Sequence, residues 1–167
     1  MFDKVKNIMV QLVPYIVVLL LVLIVKQFII TPMQVKGDSM YPTLKNGDFM
    51  VLNKLSYNFH DIERFDIVVI DKEDSYIIKR VIGLPNETIR YQDNQLYIND
   101  ELVEEDFINN HLTRDFEYKD KDNCYFVMGD NREISLDSRY LGCFDRSKII
   151  GKTNFTFFPL TRVGFKN

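Results

Sequence analysis

The chain of 167 residues has no tryptophan and no alanine, and only two cysteines and two histidines. Each shortage removes a class of chemistry. Cys124 and Cys143 are too few to staple a disulfide scaffold. They could pair in an oxidising compartment, but buried free thiols are the expected state. With His60 and His111 they show no metal-ligand spacing, so no metal and no cofactor are expected. Both histidines sit in polar, surface-like sequence, which leaves little room for a Ser-His-Asp triad. A net charge of -3, with acids scattered between 100 and 122, argues against a nucleic-acid surface. Abundant Ile, Asn, Lys and Asp beside the missing alanine match coding by an AT-rich genome. No internal repeat, low-complexity linker or long amphipathic helix follows residue 31.

What the chain does have is one long apolar run. Ile8 to Ile30 is interrupted only by Gln11, Lys26 and Gln27, with Pro14 near one end. Its 23 residues, as a helix, would reach about 34 Å, enough for a hydrocarbon core of about 30 Å. Lys26 lies where its stem can snorkel to the interface. The run is long for the core of a cleaved leader, and Thr31-Pro32-Met33-Gln34-Val35 offers no small-x-small site. The expectation is an uncleaved anchor over 8–30, a short N-terminal segment at 1–7 and a folded domain over 31–167. Lys4, Lys6, Lys26 and Lys36 flank the run on both sides, so charge alone barely sets its orientation.

Beyond Ile30 the pattern becomes strand-like. Short β-branched or aromatic runs fall at 49–52, 66–70, 76–82, 87–91, 95–98, 124–128 and 149–158. Turn formers separate several of them, including Asn46-Gly47-Asp48, Gly83-Leu84-Pro85-Asn86 and Asp93-Asn94. This predicts a mainly β, antiparallel domain, sandwich-like or a partly closed barrel, behind one transmembrane helix. The acidic stretch from Glu101 to Asp122 reads as an exposed excursion.

Three segments carry candidate chemistry. In Gly37-Asp38-Ser39-Met40-Tyr41-Pro42-Thr43-Leu44, a serine sits in a turn just beyond the apolar run. A serine needs a base, and Lys79 is the best candidate. It lies in Tyr76-Ile77-Ile78-Lys79-Arg80-Val81-Ile82, an apolar strand holding two adjacent cations. Alternation sends Lys79 and Arg80 to opposite faces, one of them the buried face of Ile77 and Val81. Desolvation there would lower an amine's pKa toward neutrality. The third segment, Gly129 to Gly142, is dense in hydrogen-bonding residues and begins where an apolar strand ends.

These segments, with Gly47 to Lys54, resemble the ordered motifs of type I signal peptidases over nearly the whole chain, in the single-anchor, compact form found in Gram-positive bacteria. The resemblance implies a membrane-anchored serine endopeptidase, its β-rich catalytic domain outside the membrane and residues 1–7 in the cytoplasm. It makes Ser39 the nucleophile and Lys79 the general base. Ser135 would hydrogen-bond the Lys79 amine, and Asp137 and Arg139 would form a supporting ion pair. Some family members carry a serine two residues before the nucleophile to stabilise the oxyanion; Gly37 stands there in this chain. Backbone N–H groups, with that of Ser39 foremost, would then serve. Val35, Ile77 and Ile78 are plausible walls of shallow pockets for small substrate side chains. The implied partners are preproteins bearing signal peptides and membrane lipid.

Geometry independently puts Ser39 near a membrane surface. Nine residues beyond Ile30 reach at most about 30 Å. Met33 and Met40 either extend that surface into lipid or pack in the core. Three other readings remain: a self-cleaving Ser-Lys protein on a similar scaffold, a tethered peptide-binding domain without activity, and a structural anchored domain.

Overall fold

The computed structural model describes residues 2–24, 29–108 and 112–166. Helix α1 (Phe2–Ile24) contains Pro14. From Gln11 to Leu23 its side chains are exposed. Among the described residues no helix is long and apolar enough to cross a membrane. The predicted anchor also includes 25–28, which lie outside the described residues. Its predicted end is too late, because Ile30 already belongs to strand β1 (Ile30–Gln34). Pro32 disguises this strand in the sequence. It is tolerated because β1 is an edge strand, and edges need not donate on both sides.

The remaining strands are β2 (Phe49–Asn53), β3 (Ile67–Asp71), β4 (Tyr76–Gly83), β5 (Thr88–Gln92), β6 (Gln95–Ile98), β7 (Glu101–Val103), β8 (Phe116–Lys119), β9 (Phe126–Met128), β10 (Ile149–Phe158) and β11 (Gly164–Phe165). They form two antiparallel sheets. The larger runs β1-β2-β10-β3-β4-β9, with β11 on β10; the smaller runs β7-β6-β5-β8. Two one-turn helices, α2 (Ser56–Phe59) and α3 (Ser138–Leu141), complete the regular structure used below. The seven strand runs expected from the sequence all correspond to observed strands. The supposed excursion at 101–122 does not stay irregular, since it supplies β7 and β8. Both are edges of the smaller sheet, and β8 alternates half-buried aromatics with exposed charges. Charge on an edge strand blocks further pairing and makes the strand look like loop.

Three apolar clusters hold the sheets. Val68, Ile70, Val81, Val127 and Ile149 pack with Tyr57 and Ile62 on one face of the larger sheet. Ile82, Phe126 and Met128 meet Ile89, Tyr91, Leu96 and Ile98 of the smaller sheet. Val35, Met40, Leu44, Met50 and Ile67 seal the start of the domain, with Met33 against them. Met40 is thus a core residue rather than a lipid-facing one.

Cys124 and Cys143 are joined by a disulfide, with Cα atoms 5.7 Å apart, contrary to the expectation of free thiols. Their spacing of 19 residues said nothing about proximity; a backbone bridge between Tyr125 and Phe144 brings the two segments together. Asp120 approaches both sulfurs, but both are committed to each other. Closing a loop of this length stabilises the fold by about 3 kcal/mol in the chain-entropy account. Cys143→Ser should therefore unfold at lower urea concentration than the parent chain. An unchanged midpoint would remove the disulfide from the stability account.

Candidate active site

Ser39 lies in a turn braced from three sides. Tyr41 N–H donates to Asp38 O at 3.1 Å and Leu44 N–H to Met40 O at 2.8 Å. Met40 and Leu44 are buried, so the turn is pinned to the core. Gly37 has φ +84°, and no atom lies within 4 Å of where a Cβ would be. Backbone freedom, not lack of room, therefore calls for glycine there. Its N–H donates to Asn46 Oδ1 at 3.0 Å. Gly37 was a candidate oxyanion element, and that bond already commits its amide. In the sequence Asn46 carries only the signal of a turn former.

Lys79 is 3% exposed, and its Nζ lies 2.8 Å from Ser39 Oγ. The two come from positions 40 residues apart, joined because β4 runs beneath the turn. Burial pushes the amine down from 10.5 to about 8, assisted by the positive charge of Lys72 and opposed by Asp137 and Asp130. A neutral amine at this distance can accept the serine proton.

Arg80 is fully buried as well, which the single buried face assumed from the sequence did not allow. Both faces of β4 are covered, and Arg80 needs a partner for its charge. Asp130 supplies it with two bonds, Nε–Oδ1 at 2.8 Å and Nη2–Oδ2 at 2.7 Å. Thr43 Oγ1 donates to the same carboxylate at 2.6 Å, and the guanidinium lies over Phe107 at 3.8 Å. This group ties the serine turn, the lysine strand and the 129–142 segment together. Thr43, Arg80 and Asp130 lie in three separate sequence segments, whose pairing the sequence does not encode.

The 129–142 segment closes over the back of Ser39. Asn131 N–H donates to Ser39 O at 3.0 Å. A Cβ at Gly129 would lie 2.3 Å from both Ser39 O and Ser135 Oγ, so only glycine permits this approach. Asp137 and Arg139 form the ion pair expected of them, with contacts of 2.8 and 2.9 Å. Asp137 also accepts from Gly129 N at 3.0 Å and caps α3. Arg139 Nη2 donates to Arg132 O at 2.7 Å. Arg132 is itself buried and bonded to Glu105 and Tyr91 of the smaller sheet and its flank. Ser135 does not make the bond to Lys79 that the resemblance implied. Its Oγ is buried without a hydrogen-bond partner among the described residues, packed against Gly129. His60 is exposed, and His111 lies outside the described residues.

Ser39 and Lys79 open onto a cleft of about 450 Å³. One wall is Met33 to Lys36 with Met40; the other is Asp74 to Ile78. Val35, Ile77 and Ile78, the expected pocket walls, all line it. Two strand edges border the cleft: among the described residues β1 pairs only with β2, and β4 pairs with β9 only from Arg80 onward.

The family described as signal peptidase, peptidase S26, matches residues 8–158. Signal peptidase I S of Bacillus subtilis (strain 168) is 40% identical over 161 residues, covering 89% of this chain and 88% of its own. Signal peptidase IB of Staphylococcus aureus (strain Mu50 / ATCC 700699) is 36% identical over 166 residues, covering 87% and 86%. The crystal structure of a signal peptidase I from Enterococcus faecalis V583 superimposes with a TM-score of 0.51 at 34% identity, covering 56% of this chain and 97% of that one.

Proposed function

The chain belongs to the signal peptidase family, peptidase S26, and on that premise we propose that it removes signal peptides from secreted preproteins, with Ser39 as nucleophile and Lys79 as general base. Its activity is that of a serine endopeptidase. The observation that carries the assignment is the 2.8 Å approach of a buried amine to the serine hydroxyl.

The substrate enters the cleft as an extended strand, adding to the stretches of β1 and β4 that border it. Its small side chains before the scissile bond fill the shallow spaces at Val35, Ile77 and Ile78. Lys79 takes the proton from Ser39 Oγ as the oxygen bonds to the carbonyl carbon. The Ser39 N–H faces the developing oxyanion. Protonated Lys79 then gives its proton to the leaving amine as the C–N bond breaks. Water, deprotonated by Lys79, hydrolyses the ester and frees Ser39. Asp130, Arg80, Asp137 and Arg139 hold the reacting groups in place. Ser135 stands by this centre as a supporting residue.

The apolar run over 8–30 is the single membrane anchor in this reading. Its support is the uninterrupted sequence from Leu12 to Val25 and the outward-facing apolar side chains of α1. The domain over 31–167 then works outside the membrane, where a signal peptide emerges. The test is incubation of the full chain, in detergent or lipid, with a preprotein. Cleavage at one bond after small residues is expected, and none with Ser39→Ala. Equal cleavage by Ser39→Ala would refute the assignment.

The lysine fixes the pH dependence. Cleavage limited by chemistry should rise with pH along a limb centred near 8, and fall in acid as Lys79 protonates. A rate independent of pH would exclude Lys79 as the base. Stability follows with a defined sign. Between about 8 and 10.5 the unfolded chain binds this proton more readily than the folded one. The lysine's cost to folding is therefore complete below about 8 and disappears above 10.5. At neutral pH Lys79→Met should gain about 3 kcal/mol from removing it, and the gain should shrink as pH rises through that window.

A further inference from the structure

We propose that Asp74 is a specificity-determining residue, whose carboxylate favours a basic substrate side chain about five residues before the scissile bond. The proposal rests on the reading of Ser39 and Lys79 given above. Asp74 lines the cleft at the end of the β4 wall remote from Lys79. The two are five positions apart; β4 carries the chain from Lys79 back to Tyr76, about 10 Å at roughly 3.3 Å per residue, and Ser75 and Asp74 follow in the turn beyond it, which sets the carboxylate opposite about the fifth residue of a substrate strand. Between them the wall is Ser75, Tyr76, Ile77 and Ile78.

The charge on Asp74 is available. It is exposed and forms no ion pair among the described residues, whereas its neighbour Glu73 pairs with Lys148 at 3.1 Å. The turn that carries it is braced by its backbone. Lys72 N–H donates to Ser75 O, and Asp74 N–H to Lys72 O, both at 2.9 Å. Glu73 N–H donates to Asp71 Oδ1 at 2.8 Å. The β3–β4 turn thus presents one unpaired carboxylate at the cleft's far end. The other charged groups of the cleft, Lys36 and Lys79, are both cationic and belong to the end holding Ser39. A substrate strand laid along the cleft therefore meets positive charge near its cut and negative charge about five residues upstream.

The test compares one preprotein-derived peptide carrying Lys, Gln or Glu at each position from three to seven before the cut. kcat/KM is measured for the full wild-type chain and for Asp74→Asn, at low and high salt. The wild type should favour Lys over Glu by about two- to five-fold at one position near the fifth, as an exposed charge pair allows. High salt and Asp74→Asn should each erase the preference, and Asp74→Lys should reverse it. A Lys-to-Glu ratio unchanged by Asp74→Asn, in a chain that cleaves normally, would overturn the role of Asp74 alone. Cleavage that persists in Ser39→Ala would remove the site itself and this inference with it.

Discussion

Lys79→Ala is expected to abolish cleavage as fully as Ser39→Ala, by at least about a thousand-fold, with the double mutant little worse than either single one. The non-additivity follows from geometry. The hydroxyl and the amine share one hydrogen bond of 2.8 Å, so removing either would end the proton transfer proposed for them. Lys79→Ala also replaces a buried amine, and its domain should remain folded, because the charge it removes is one that burial disfavours. Single-turnover cleavage of a preprotein, with circular dichroism of each variant, measures both halves. Two single mutants each retaining a tenth of the activity, and a double mutant retaining a hundredth, would mean that the residues act independently.

Asp137→Ala should lower stability by about 1–3 kcal/mol, the cost of leaving a buried donor without its acceptor. Asp137 is fully buried, and its loss leaves Gly129 N–H without its acceptor and the partly exposed Arg139 with its bond to Arg132 O. Gly129 touches the backbone of Ser39, so activity should fall with stability. Asp137 also favours the charged form of Lys79. Asp137→Asn, which keeps the shape and removes the charge, should therefore move the limb of the pH-rate profile below 8. A variant with full stability and no activity would instead give Asp137 a direct part in the chemistry. An unmoved limb in Asp137→Asn would mean that its charge does not reach the amine.

Ser39 and Lys79 were legible because each sits in a local pattern that chemistry explains: a glycine-led turn after an apolar run, and a cation inside an apolar strand. Their partners were harder to see. Arg80 looked like the outward member of an amphipathic strand, and only the fold shows both faces of β4 covered. Asp130 and Arg132 read as ordinary loop polarity, yet they are buried through contacts with Arg80 and Glu105. The strand runs were visible where β-branched residues cluster. They failed at β1, where Pro32 hides an edge, and at β7 and β8, where charge protects one. The disulfide depended on bringing Cys124 beside Cys143 in space, which spacing does not encode.

The central claim is that Lys79 is neutral when it takes the serine proton. The most direct measurement is the titration of lysine side-chain resonances in the full chain, isotope-labelled, with Lys79→Met to assign the signal. The account predicts one lysine titrating near 8 and absent from that variant. A spectrum in which Lys79 titrates with the other lysines, above 10, would contradict it.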